Sequence, residues 1–197
     1  MQRVRVILGL GNPGDEYNNT RHNVGFQLLD YWVHSHGVPW VWEKRFEADC
    51  AVLDLPGVSR PVLCVKPRTY VNCSGRSAAA ISRYYKFKPE QFCAVYDDIS
   101  LAPAQAKISQ KGSAGGHNGV ADLIERLGSD FVRFRIGIGA KKHPGMDLKD
   151  WVLGRFTASE KENLEESFAE FTDGLRLLVQ KGAESAMNQI NIRTKAS

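Results

Sequence analysis

No apolar run in this 197-residue chain approaches the ~18 unbroken positions that a membrane-spanning helix requires. Cysteine is scarce. The four (Cys50, Cys64, Cys73 and Cys93) contain no C-x-x-C pair and sit mostly in apolar, strand-like runs. That spacing argues against a disulfide frame or a thiolate zinc site and for reduced, buried thiols. H-x-x-x-H is missing, so a helix-borne metal site has no support, although His22, His117 and Asp97 remain conceivable ligands. G-x-S-x-G is missing too, since Ser74 stands in Cys-Ser-Gly, which argues against a serine nucleophile elbow. No charged-then-apolar leader opens the chain, and the expectation is a soluble cytoplasmic protein with no membrane contact. Nor is charge strongly one-sided: 26 Lys and Arg against 22 Asp and Glu give +4, a mild tilt toward anionic partners.

What is present is an ordinary globular balance of 43% hydrophobic and 24% charged residues, enough for a substantial core. With no linker and no internal repeat, residues 1–197 read as a single domain. A buried strand is expected over residues 3–8. The segment from Thr20 follows with Val24, Leu28, Leu29, Trp32 and Val33 at helical spacing, stopping at Gly37. Runs 48–55 and 61–66 around Pro56-Gly57 predict a hairpin, 74–85 a helix, 92–98 a strand and 105–109 another. A glycine-rich loop, 112–119, leads into a helix with Val120, Leu123, Ile124 and Leu127 on one face. Residues 131–139 alternate, with Val132, Phe134, Ile136 and Ile138 facing one way and Arg133 and Arg135 the other. A long helix opens at Ser159 with Glu162 in capping-box register and a stripe of Leu164, Phe168, Phe171, Leu175 and Leu178. Strands alternating with helices predict an α/β fold, an open twisted mixed and largely parallel sheet flanked by helices on both faces.

The stretch VRVILGLGNPG carries Gly9-x-Gly11-x-x-Gly14, the spacing of a dinucleotide-binding turn. That reading needs a helix opening within the motif and an acid at a strand end about 20 residues on. Here a polar loop intervenes, and Asp30 lies inside a helical pattern, so sharp turning and close backbone approach explain the glycines better. Ligands of open α/β sheets bind beyond the carboxyl ends of the strands. Asn12, Asn72, Asp97 with Asp98, and His117 with Asn118 all follow strands or the glycine-rich loop, and His22 lies within reach of the same rim.

The segments LGLGNPGDEYNNTRHNVG, KPRTYVNCSG, VYDD, GSAGGHNG and RFRIGIG, in that order from Val6 to about Phe156, resemble the bacterial-type peptidyl-tRNA hydrolase family. The resemblance implies cleavage of the ester joining a peptide to the terminal ribose of tRNA, without cofactor or metal. It implies that His22 is the general base and that Asp97 holds its imidazole. A positioned imidazole contributes about 10²–10⁴-fold to such a step. Asn12, Asn72 and Asn118 match the amides that position substrate and water. The role of telling a blocked aminoacyl group from a free one falls on Asn12. Tyr17 and Tyr70 match positions that contact the tRNA end, where stacking on an unpaired base is expected. Lys107, Lys111 and Arg135 are candidates for phosphate contact, with Arg133 a weaker one.

Three features depart from the family pattern: Val71 where Met is usual, Tyr96, Ile99 and Ser100 in YDDISLAP where HDDLDLP is usual, and no basic residue near Ser109, where Lys111 is the nearest substitute. A non-catalytic RNA-binding relative of the same fold, of the intron-splicing type, is the alternative. A nucleotide-dependent oxidoreductase is a third class. A monomer is expected, and residues 141–150 are expected to form a mobile cover over the site.

Overall fold

Within strand β1 (Val6–Gly9) successive side chains must point to opposite faces, and both faces are apolar, so the strand belongs in the middle of a sheet covered on both sides. A computed structural model, describing residues 3–193, shows that arrangement. The other strands are β2 (Val41–Glu43), β3 (Ala48–Leu53), β4 (Val62–Pro67), β5 (Phe92–Asp98), β6 (Ala106–Ser109) and β7 (Val132–Gly137). They form one sheet in the order β2-β3-β4-β1-β5-β7-β6. Its centre, β4-β1-β5-β7, is parallel, while β2, β3 and β6 run antiparallel to their neighbours.

Ile7, Cys64, Cys93, Val95, Ile108, Phe134 and Ile136 pack on one face against α1 (Val24–Ser35), α5 (Ala158–Lys181) and α6 (Ala183–Arg193). Val6, Leu8, Val65, Phe92 and Ala94 pack on the other, against α2 (Ser74–Tyr85) and α3 (Asn118–Leu127). A short helix, α4 (Leu148–Leu153), lies between β7 and α5. At the outer edge, Asn191 of α6 accepts from Ile108 N (2.8 Å) and donates to Ile108 O (2.9 Å).

The expected hairpin is β3-β4, and the ranges for α2 and β5 agree with the expectation to the residue. Three elements were not expected: β2, α4, and the break at Gly182 that separates α6 from α5. The capping box also falls elsewhere. Thr157 is the N-cap of α5, its hydroxyl accepting from Glu160 N (3.3 Å) while Glu160 accepts from Thr157 N (2.8 Å). Ser159 and Glu162 lie inside the helix. Of the single-domain expectation over 1–197, the chain ends outside 3–193 lie outside the described residues.

The glycines after β1 serve close approach. A Cβ on Gly9 would sit 3.0 Å from Gly25 O, and one on Gly11 3.0 Å from the Phe26 ring. The fit is tightest at Gly25, where a Cβ would meet Val95 O at 2.3 Å and Leu10 N at 2.9 Å, intruding on the Leu10 N to Val95 O bond. Gly25→Ala therefore drives backbone apart beside the site. Overpacking of this kind costs about 3 kcal/mol, a loss of roughly 6–12 °C in Tm for a chain this size. Urea unfolding indistinguishable from wild type would contradict the tight fit. No described helix is long and apolar enough to cross a membrane.

Candidate active site

Because β1 and β5 are parallel neighbours, the segments leaving their carboxyl ends converge. The first carries Asn12 and then the tight helical turn Arg21–Asn23, and the second ends in Asp97 and Asp98. Asn23 ties the two halves of the first segment together, accepting from Asn12 N and donating to Asn12 O, each at 2.9 Å. His22 is thereby fixed beside β5. The N-terminus of α3 brings His117 to the same place.

The three groups form one hydrogen-bonded unit. His22 Nδ1 lies 2.8 Å from Asp97 Oδ1, and His117 Nε2 lies 3.0 Å from that same oxygen. The two rings are 4.9 Å apart. Backbone geometry assigns the protons. His117 is the N-cap of α3, and its Nδ1 accepts from Gly119 N (3.1 Å) and Val120 N (3.3 Å), so that nitrogen holds the lone pair and Nε2 the proton. Asp97 accepts from both rings, which puts the His22 proton on Nδ1 and leaves Nε2 a free base. His22, Asp97 and His117 offer ligand atoms within 4.8 Å of one another, close enough to surround a cation. The capping bonds and the shared carboxylate already engage three of the four ring nitrogens in hydrogen bonds, so the set is organised as a proton-holding unit.

Electrostatics follow from burial. Asp97 is 4% exposed. Burial pushes its pKa up, but the charges and N–H groups of His117 and His22 outweigh that and hold it well below the usual carboxylate range. At His22 burial pulls the pKa down, yet the charge of Asp97 and its hydrogen bond reverse the direction, for a net rise above the ordinary imidazole value. The unit favours a proton arriving on His22.

This unit opens on a cavity of about 920 Å³. Its lining includes Asn12, Asn72, Asn118, Lys107, Lys111 and Arg135, so eight of the ten residues singled out in the sequence surround one space. Tyr17 and Tyr70 do not line it. They meet edge to face at 6.4 Å, with Tyr70 59% exposed and adjacent to Val71, whose N–H donates to Asn12 Oδ1 at 2.8 Å. That last bond orients the Asn12 amide and leaves its NH₂ to donate, whereas Asn72 and Asn118 are exposed at the rim. Arg135 is paired with Asp98 at 2.9 Å, while Lys111 is exposed and only 3.7 Å from Asp130.

Arg133 lies with Arg135 on the face that alternation assigns it, away from the apolar side chains of β7, and it too lines the cavity, but at a depth that alternation does not record. It is 1% exposed and donates to the carbonyls of Ser129, Phe131 and Gly112, anchoring the glycine-rich loop instead of facing solvent. Of residues 141–150, expected as a cover, 148–150 open α4, whose Leu148, Val152 and Leu153 wall the cavity. Lys141 Nζ is tied to Met146 O at 2.8 Å. The sequence places His117 on the rim without a catalytic or binding role there. Its signal, a histidine at a helix start after a glycine-rich loop, is readable, but its partner lies 20 residues away. Tyr96 packs its edge on the His117 ring at 5.0 Å, and burial pushes its hydroxyl up to about 12.

Comparison with known proteins adds a second line of evidence. The protein-family profile described as Peptidyl-tRNA hydrolase matches residues 6–197. A peptidyl-tRNA hydrolase from Agathobacter rectalis is 41% identical over 188 residues, spanning 94% of this chain and 99% of its own. One from Clostridium botulinum is 38% identical over 187 residues, 94% of this chain and 95% of its own. The crystal structure of peptidyl-tRNA hydrolase from Acinetobacter baumannii superimposes with a TM-score of 0.89 at 32% identity, covering 95% of this chain and 94% of that one.

Proposed function

The chain belongs to the peptidyl-tRNA hydrolase family, and from that premise we propose that His22 Nε2 is the base of its ester hydrolysis, removing a proton from the attacking water. The observation that carries this reading is the shared Asp97 oxygen. It fixes Nδ1–H of His22, frees Nε2 and stabilises the imidazolium formed in the transition state. His117 holds that carboxylate from the other side. Asn12 donates its amide to a carbonyl of the substrate, while Asn72 and Asn118 position the peptide end and the water. The Asn12 Oδ1 accepts from Val71 N–H and keeps a second lone pair, so the amide can also accept from the N–H of a blocked aminoacyl group, the discriminating role assigned to Asn12.

Tyr17 and Tyr70 stack against the tRNA end, and Lys107, Lys111 and Arg135 meet its phosphates, with Arg135 weakened by Asp98. The reaction needs neither metal nor cofactor. The enzyme is read as a cytoplasmic monomer, with a sedimentation mass near 22.0 kDa expected and twice that value overturning it. The family, the names of the relatives and the site geometry favour hydrolysis over the non-catalytic RNA-binding alternative.

The test is release of N-acetyl-aminoacyl groups from tRNA, with unblocked aminoacyl-tRNA as control and EDTA as a second arm. A charged α-amine is costly to bring into a site built for a neutral amide, so the blocked substrate reacts about 10²-fold faster or more. EDTA leaves the rate unchanged. Loss on chelation, restored by zinc, would overturn the metal-free mechanism. Equal rates on the two substrates would overturn the proposed discrimination.

A further inference from the structure

The residue beside the proposed base is a buried arginine that the mechanism does not use. Arg21 is 3% exposed, yet it contacts three separate segments. Its Nη2 donates to Glu160 at the start of α5 (2.9 Å). Its guanidinium lies 3.8 Å over the Trp151 ring of α4 and 5.3 Å from that of Phe156. Its backbone N–H donates to Gly154 O (2.9 Å), next to the bridge between Thr20 and Arg155. The approach is close enough that a Cβ on Gly154 would lie 3.0 Å from Nη1, and the buried Nε has no hydrogen-bond partner among the described residues.

Filling space does not explain this choice. A buried ion pair is a poor source of stability, because desolvation offsets the attraction, and an apolar side chain of similar volume often does as well. What a planar cation adds is geometry: one face for the indole, one edge for the carboxylate. Trp151 is in turn the buried residue of α4, 5% exposed, with its Nε1 donating to Gly139 O at 3.0 Å. The neighbouring residues of that six-residue helix, Leu148, Val152 and Leu153, wall the cavity. The turn carrying His22 and the wall carrying those side chains are therefore docked on one another through Arg21.

We infer that Arg21 is a positioning residue, coupling the seating of the wall helix α4 to the orientation of His22 against Asp97. The inference rests on the reading of His22 as the base. The charged and titratable groups that contact His22 are Asp97 on β5 and His117 at the start of α3; Arg21 reaches it only through the shared backbone turn. Disturbing Arg21 moves the ring, and a small displacement of a catalytic group costs about 10–100-fold in rate.

The experiment uses Arg21→Lys, which keeps the charge and loses the flat stack, and Gly154→Ala, whose Cβ crowds the guanidinium at 3.0 Å and the α4 carbonyls of Asp150 and Trp151 at 3.1 and 3.2 Å while leaving Arg21 in place. Each is examined by kcat and KM on N-acetyl-aminoacyl-tRNA and by NMR titration of the His22 imidazole. Arg21→Lys is expected to lower kcat about 10-fold with KM within about twofold, and to move the His22 titration downward as its contact with Asp97 loosens. Gly154→Ala is expected to move both in the same direction by less. Folded variants with unchanged kcat and unchanged His22 titration overturn the coupling, as does a rise in KM alone, which would make Arg21 a support of the wall only. The NMR arm separates the two readings. If His22→Ala keeps full activity the base assignment fails, while the His22 titration in the Arg21 and Gly154 variants still reports whether the coupling exists.

Discussion

Alanine in place of His22 lowers kcat on N-acetyl-aminoacyl-tRNA by about 10²–10⁴-fold, the contribution typical of a positioned general base, with KM little changed. The expectation follows from the tautomer. Nδ1–H is committed to Asp97, so Nε2 is the basic atom of the unit that opens on the cavity. His117 cannot replace it, because its Nδ1 is occupied by two backbone N–H groups and its Nε2 proton by the same carboxylate. His117 remains to hold Asp97, so the variant is expected to fold, and circular dichroism with tRNA binding at wild-type strength checks that the loss is chemical. A variant within about threefold of wild type would remove His22 from the proposed role and leave the cavity without a base.

Asp97→Asn has the second-largest expected effect, and here the shared oxygen matters. In a serine-protease triad, asparagine in place of aspartate imposes the wrong tautomer on histidine and costs about 10⁴-fold. In this site both rings donate to the same Oδ1, so an asparagine oxygen there can accept both protons and keep both tautomers. Only the charge is lost. Charge-assisted hydrogen bonds are worth about 1.5–3 kcal/mol against about 1 for neutral ones, so the bond to His22 loses about 0.5–2 kcal/mol, a loss of roughly 2–30-fold. The pH profile changes with it. In the wild type the acid limb of kcat/KM lies above the ordinary imidazole value of about 6.5, because the pull of Asp97 outweighs burial at His22. In Asp97→Asn the charge is gone, burial outweighs the neutral hydrogen bond that remains, and the limb moves below that value. An acid limb that stays in place in the variant would show that Asp97 does not set the titration of His22.

The same shifts give opposite stability dependences. His22 titrates higher folded than unfolded, so its contribution is complete below about pH 6.5 and is lost as pH rises through the folded value. Asp97 titrates lower when folded, so its contribution is present above about pH 4 and is lost as pH falls toward the folded value.

Buried regular elements were legible because burial writes a period into the sequence. The apolar run of β5 set its bounds directly, and the helix read over 74–85 has the observed bounds of α2. The elements that escaped lack that pressure. Val41 and Trp42 of β2 are about half exposed, α4 is only six residues long, and the stripe of α6 is short and built partly of small residues, Ala183, Ala186, Met187 and Ile190. The polar rim was legible as residue types at strand ends, since topology requires those ends to meet. Depth was not. Alternation put Arg133 and Arg135 on one face, but the carbonyls that enclose Arg133 come from the turn before β7 and from the glycine-rich loop, which no periodicity records. The role of His117 escaped for a similar reason: its tautomer is set by amides two and three residues on, and its function by an aspartate from another strand.

Asn191, whose amide takes both the N–H and the C=O of Ile108, has a consequence beyond α6. A second copy drawing up alongside β6 would need those same two groups to start a ladder, and it finds them already occupied by a side chain that mimics a strand. The opposite border of the sheet offers only the three residues of β2. An enzyme whose substrate is a large folded RNA is thus closed, along one flank, to association through its own backbone.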